Sequence, residues 1–136
     1  NKVSIDQIGN YNITQVTQIS NDNIITVNAN GNNNSITTEQ TGSKTAIISV
    51  SSDNNIVNLS QKDNGNDYAS IVLTGGNKSV NLTQSGSAGH SADVTLSGQP
   101  VNLTLTQSGS TQQNYSINFN CATAGGCSAI QVQQGN

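Results

Sequence analysis

Charge is scarce in this chain. Only 8% of its 136 residues are Asp, Glu, Lys or Arg, and the formal net charge is −3. A disordered polar chain usually couples low hydrophobicity to high net charge, and here the second half of that signature is missing. The basic residues are Lys2, Lys44, Lys62 and Lys78, scattered along the chain, so there is no basic footprint for nucleic acid. Aromatic residues are few as well: Tyr11, Tyr68, Tyr115 and Phe119 form no cluster of the kind a carbohydrate-binding face uses. No apolar stretch approaches the length of a membrane-spanning helix, so no membrane insertion is expected. Methionine is absent, and the chain opens at Asn1 without a basic-then-apolar leader, which fits a processed product.

Neutral hydrogen-bonding residues take the place of the charges: Asn, Gln, Ser, Thr and Gly. That composition fits a polar low-complexity tract or a repetitive β structure lined with amides and hydroxyls, and periodicity decides between them. Alternating apolar pairs recur along the whole chain. One set is Val3/Ile5, Ile25/Val27, Ile48/Val50, Ile71/Leu73, Val94/Leu96 and Ile117/Phe119, spaced by 22 or 23 residues. A second set falls between them: Thr14/Val16, Ile36/Thr38, Val57/Leu59, Val80/Leu82, Leu103/Leu105 and Ile130/Val132. Alternation of this kind marks half-buried strands. Between the strands lie turn-formers such as Asn30–Asn34, Asp53–Asn55 and Gly76–Lys78, whose Gly and Asn tolerate the left-handed backbone of tight reversals.

The expected fold is therefore all-β: a single β-solenoid domain over residues 1–136, built of six two-strand repeats forming two facing parallel sheets. The rungs run approximately over 1–22, 23–44, 45–67, 68–90, 91–113 and 114–136. One rung cannot bury its own apolar side chains, whereas six stacked rungs cover one another. Two residues beyond many of the pairs, on the same inward face, stand Gln7, Gln18, Gln40, Gln61, Gln84, Gln107 and Gln134. Identical amides one rung apart can bond along the stack, as in cross-β assemblies. A second inward row, Asn1, Asn12, Asn34, Asn55 and Ser128, precedes its glutamines by an even spacing that keeps both on one face.

These positions resemble a known family. The opening segment runs Asn1-x5-Gln7-x-Gly9-x2-Asn12-x5-Gln18, which resembles the curlin repeat, Ser/Asn-x5-Gln-x-Gly-x2-Asn-x5-Gln. Partial copies follow at Asn34-x5-Gln40-x-Gly42, Asn55-x5-Gln61, Gln84-x-Gly86, Gln107-x-Gly109 and Ser128-x5-Gln134. The resemblance implies a subunit of curli-type fibres, secreted through the bacterial outer membrane and polymerised outside the cell in biofilm matrix and adhesion. It also implies a nucleator subunit and outer-membrane secretion machinery as partners. Where the family pattern has a second Gln, the later first-set strands are aligned with Ala29, Ser52, Gly75, Gly98 and Cys121, which would replace one inner ladder by small residues.

Neither end carries a polar capping segment, and Ile130-x-Val132-x-Gln134-Gly135-Asn136 resembles Val3-x-Ile5-x-Gln7-x-Gly9-Asn10. Self-association head to tail is the expected consequence. A monomeric β-solenoid binding module, an adhesin or an ice- or carbohydrate-binding domain, is the alternative. Cys121 and Cys127 flank a Gly-rich insertion in the last repeat and are expected to form a disulfide in an oxidising compartment. Two thiols alone make a poor metal site, and redox-active pairs usually have the shorter Cys-x-x-Cys spacing. No enzymatic activity and no cofactor are expected. His90 lies in a Gly/Ser-rich arc and reads as solvated, and the acids form no close pair outside turns.

Overall fold

A computed structural model describes residues 1–135; Asn136, the last residue of the end-to-end resemblance, lies outside the described residues. Twelve strands alternate between two sheets, and no helix occurs among the described residues. The first sheet holds β1 (Lys2–Ile8), β3 (Ile24–Asn30), β5 (Thr45–Ser51), β7 (Tyr68–Thr74), β9 (Ser91–Gly98) and β11 (Asn114–Cys121) in that order. The second holds β2 (Ile13–Ile19), β4 (Ser35–Thr41), β6 (Ile56–Gln61), β8 (Ser79–Ser85), β10 (Asn102–Ser108) and β12 (Ile130–Gln134), stacked in the same sense. Every pairing is parallel. The chain is thus a β-solenoid of about six turns.

Alternation along each strand sends one set of side chains between the sheets. In the second sheet the inner columns are Thr14–Ile36–Val57–Val80–Leu103–Ile130 and Val16–Thr38–Leu59–Leu82–Leu105–Val132. Those are the apolar pairs the spacing predicts. The first sheet differs. Ile25 pairs with Ala46, Val27 with Ile48 and Ala29 with Val50, so the alignment of Ile25/Val27 on Ile48/Val50 is two residues out of register. A two-residue slip keeps every side chain on its face, so alternation alone cannot detect it.

The true register gives each strand of the first sheet three inward positions. Val3, Ile25, Ala46, Ala69, Ala92 and Tyr115 form a column whose three alanines the spacing of larger aliphatics does not mark. Gln7, Ala29, Val50, Leu73, Leu96 and Phe119 form another, so from the third rung on bulky apolar groups, not small residues, stand in the place of the Gln. Only Ala29 of the small residues assigned to this column lies in it. Ser52, Gly75, Gly98 and Cys121 follow two residues later, at the last residue of the strand or just past it.

The corners stack as tightly as the strands. Gly31 N donates to Ile8 O (2.9 Å), Asn33 N to Asn10 O (3.0 Å) and Asn54 N to Asn32 O (2.9 Å). Asn33, Asn54 and Asn77 adopt φ of 57 to 59°, the left-handed conformation Asn accepts more readily than most residues. At Gly86, φ is +119° and a Cβ would stand 2.2 Å from the Gly109 carbonyl oxygen. Backbone packing and conformation both require glycine there.

Candidate functional site

The inward glutamines of the second sheet make one continuous chain of amides. Gln18 Nε2 donates to Gln40 Oε1 (2.8 Å), Gln40 to Gln61 (2.9 Å), Gln61 to Gln84 (2.8 Å), Gln84 to Gln107 (2.8 Å) and Gln107 to Gln134 (2.8 Å). The same nitrogens also reach across to the first sheet: Gln40 to Ile24 O, Gln61 to Thr45 O, Gln84 to Tyr68 O and Gln107 to Ser91 O, at 2.9 to 3.3 Å. One amide thus ties its rung to the next and ties the two sheets together. Gln40, Gln61, Gln84 and Gln107 are fully buried, where an unpaired amide would be costly.

Gln7 stands apart from this ladder. It lies on β1 opposite Ala29 and donates to Thr14 Oγ1 within its own rung (2.8 Å). Its phase along the strand matches the other glutamines, but it faces the other sheet's column. No residue above it can continue an amide chain.

The asparagine row divides in a similar way. Asn34 donates from both N and Nδ2 to Asn12 Oδ1 (3.0 and 3.1 Å), and Asn55 does the same to Asn34 Oδ1 (3.0 and 3.2 Å). Each side-chain oxygen therefore serves as an acceptor for the rung above. The ladder ends at Lys78, whose backbone N donates to Asn55 Oδ1 (3.0 Å) and whose Nζ turns to Gly98 O (2.7 Å). Burial of that ammonium lowers the pKa of Lys78 from its ordinary value of 10.5. Asn1 belongs to the opposite corner, where it accepts from Asn23 N and Nδ2 (both 3.2 Å). Ser128 is exposed, ahead of β12, with Lys78 and Val101 between it and the asparagines in the stack.

That opposite corner holds buried polar residues, among them His90, which the sequence places in solvent. Lys44 N donates to Asn23 Oδ1 (3.2 Å), and His90 N donates to Asp67 Oδ1 (2.8 Å). Lys44 has no side-chain oxygen to offer the next rung, and an ion pair takes its place: Nζ lies 3.0 Å from Asp67 Oδ2, with both side chains at 0% exposure. His90 is 1% exposed, its Nε2 2.9 Å from Ser85 O, which corrects the expectation of a solvated ring. The signal was available in position. Asn23, Lys44, Asp67 and His90 each stand immediately before a first-sheet strand. By contrast, Lys62 and Glu39 pair at 3.0 Å on the open surface.

Cys121 and Cys127 are joined by a disulfide that closes the enlarged arc between β11 and β12, with Cys127 N donating to Pro100 O (2.9 Å). Among the described residues, no three His, Cys, Asp or Glu side chains gather to hold a metal ion.

The two ends of the stack are chemically unlike. In the first rung Val3 and Ile5 are 48% and 45% exposed, although their register partners Ile25 and Val27 are fully buried. Gln18 Oε1 is buried there without a hydrogen-bond donor. At the other end Tyr115, Ile117, Phe119, Ile130 and Val132 are only partly covered. Among the described residues, Gln134 Nε2 finds only Asn114 O, at 3.4 Å. Comparison of the chain with protein-family models, with curated proteins and with solved structures returned no match.

Proposed function

We propose that this chain is a structural, non-enzymatic subunit of a secreted, curli-like extracellular fibre, stacking head to tail on copies of itself. The observation that carries the proposal is the polarity of the glutamine ladder. Every step runs from Nε2 of one rung to Oε1 of the next, which leaves an acceptor without a donor at Gln18 and a weakly used donor at Gln134. The last rung of one copy set against the first rung of another completes the ladder with the same bond. It also brings β11 against β1 and β12 against β2 as parallel pairs, and covers Val3 and Ile5 with Tyr115 and Ile117.

Such a contact is heterologous and does not close on itself, so it propagates as a filament. A head-to-head contact would set two acceptors together and is disfavoured. The extracellular bacterial setting, the role in biofilm matrix and adhesion, a nucleator subunit and outer-membrane export rest on the resemblance of residues 1–18 to the curlin repeat.

Incubation of the purified chain, followed by thioflavin fluorescence and negative-stain microscopy, tests the reading. Unbranched fibres with a growth phase shortened by preformed seeds are expected. Persistent monomers would overturn it in favour of a monomeric solenoid binding module.

A further inference from the structure

The buried pair in the second and third rungs has the makings of a covalent bond. Lys44 Nζ and Asp67 Oδ2 are 3.0 Å apart with both side chains fully buried. Nζ also lies 3.0 Å from Asp63 O and in contact with Gly65 O, so the amine is held against the carboxyl group from several sides. Asp67 Oδ1 takes a hydrogen bond from the His90 backbone N–H at 2.8 Å. An amine fixed at this distance from a carboxyl group, away from water, is a reactive arrangement, because folding of the chain has already made the encounter.

We propose that Lys44 and Asp67 condense to an intramolecular amide that staples the second rung to the third. One proton passes from Nζ to Oδ2 within the pair, the lone pair so freed attacks Asp67 Cγ, and the charge that develops on Oδ1 is met by the His90 N–H. The N–C bond forms and the Cγ–Oδ2 bond breaks. Oδ2 leaves with that proton and a second one from Nζ as a single molecule of water, so no oxidant or other reagent is needed. Lys78 provides an internal contrast: it is as deeply buried, but its Nζ meets the Gly98 carbonyl and no carboxylate.

Intact-mass spectrometry of the folded, aged protein, unfolded and reduced just before measurement, reads the bond directly. The expected result is a mass below that of the sequence by one water, with proteolytic mapping that yields a branched peptide joining Lys44 to Asp67. Lys44→Met and Asp67→Leu should each restore the sequence mass. The full sequence mass in the wild-type protein overturns the proposal. So does a dehydrated peptide that remains linear, since that locates the loss in an Asp or Asn cyclised on its own backbone. Both readings come from the wild-type chain, so a variant that fails to fold does not obscure them.

Discussion

Replacing Gln61 by leucine removes the amide from the middle of the ladder while keeping a side chain of similar length between the sheets. Two consequences follow from the geometry. Gln84 Oε1 loses the donor at 2.8 Å, and Gln40 Nε2 loses the acceptor at 2.9 Å but keeps Ile24 O at 3.2 Å. A buried polar atom left unpaired costs about 1–3 kcal/mol. With one group fully orphaned and the other partly compensated, the expected loss is roughly 2–4 kcal/mol. Gln134→Leu is the matched comparison. Its partner Gln107 Nε2 retains Ser91 O (3.0 Å) and Gln113 O (3.2 Å), and its own outer bond is long, so about 1 kcal/mol or less is expected. Urea unfolding followed by circular dichroism, under conditions where the protein is monomeric, gives both values from the midpoints at unchanged slope. Equal losses for the two variants, or a gain for Gln61→Leu, would refute the ladder as a source of stability.

Other outcomes follow from single positions. Thr38 Oγ1 is buried in an apolar column without a hydrogen-bond partner, so Thr38→Val should raise stability by about 1 kcal/mol in the same urea titration. Gly86→Ala sets a methyl group 2.2 Å from the Gly109 oxygen at φ +119° and should cost about 1–3 kcal/mol, whereas Gly125→Ala meets nothing within 4 Å and should cost less. Burial depresses the Lys78 pKa, so the unfolded chain holds that proton more tightly than the folded one. Stability should therefore rise with pH through the alkaline range below 10.5, and Lys78→Met should flatten that rise when melting is followed against pH. Reducing the Cys121–Cys127 disulfide opens a short loop, so the loss should stay below about 3 kcal/mol, with faster amide exchange confined to the last rung.

The repeat was legible in the sequence because the inner columns of the second sheet are aliphatic and every one of their strands ends its inward face in Gln. Those two features lock phase and period together. The first sheet lacks such an anchor. Its inner positions include Ala46, Ala69 and Ala92, which an eye for large aliphatics passes over, and a slip of two residues leaves its alternation intact. The corners were less legible still. Lys44, Asp67, Lys78 and His90 are residue types usually found in water, set among Gly, Ser and Asn. Only the stacking of one arc on the next removes them from solvent. Asn1 and Gln7 fit the motif spacing of the first rung, yet the fold assigns them to first-sheet columns in which Ala29 follows Gln7, and Asn23 and then Lys44 follow Asn1.

Head-to-tail stacking of whole subunits makes a quantitative demand on the fibre. Six rungs at about 4.8 Å each give an axial repeat of about 29 Å, superimposed on the strand spacing itself. Cryo-electron microscopy of fibres grown from the purified chain measures both. The account predicts a polar filament with strands across the axis, one subunit per repeat of about 29 Å, and density continuous from Gln134 of one copy to Gln18 of the next. A non-polar filament, a repeat of twice that length from head-to-head pairs, or particles that remain single solenoids would contradict it.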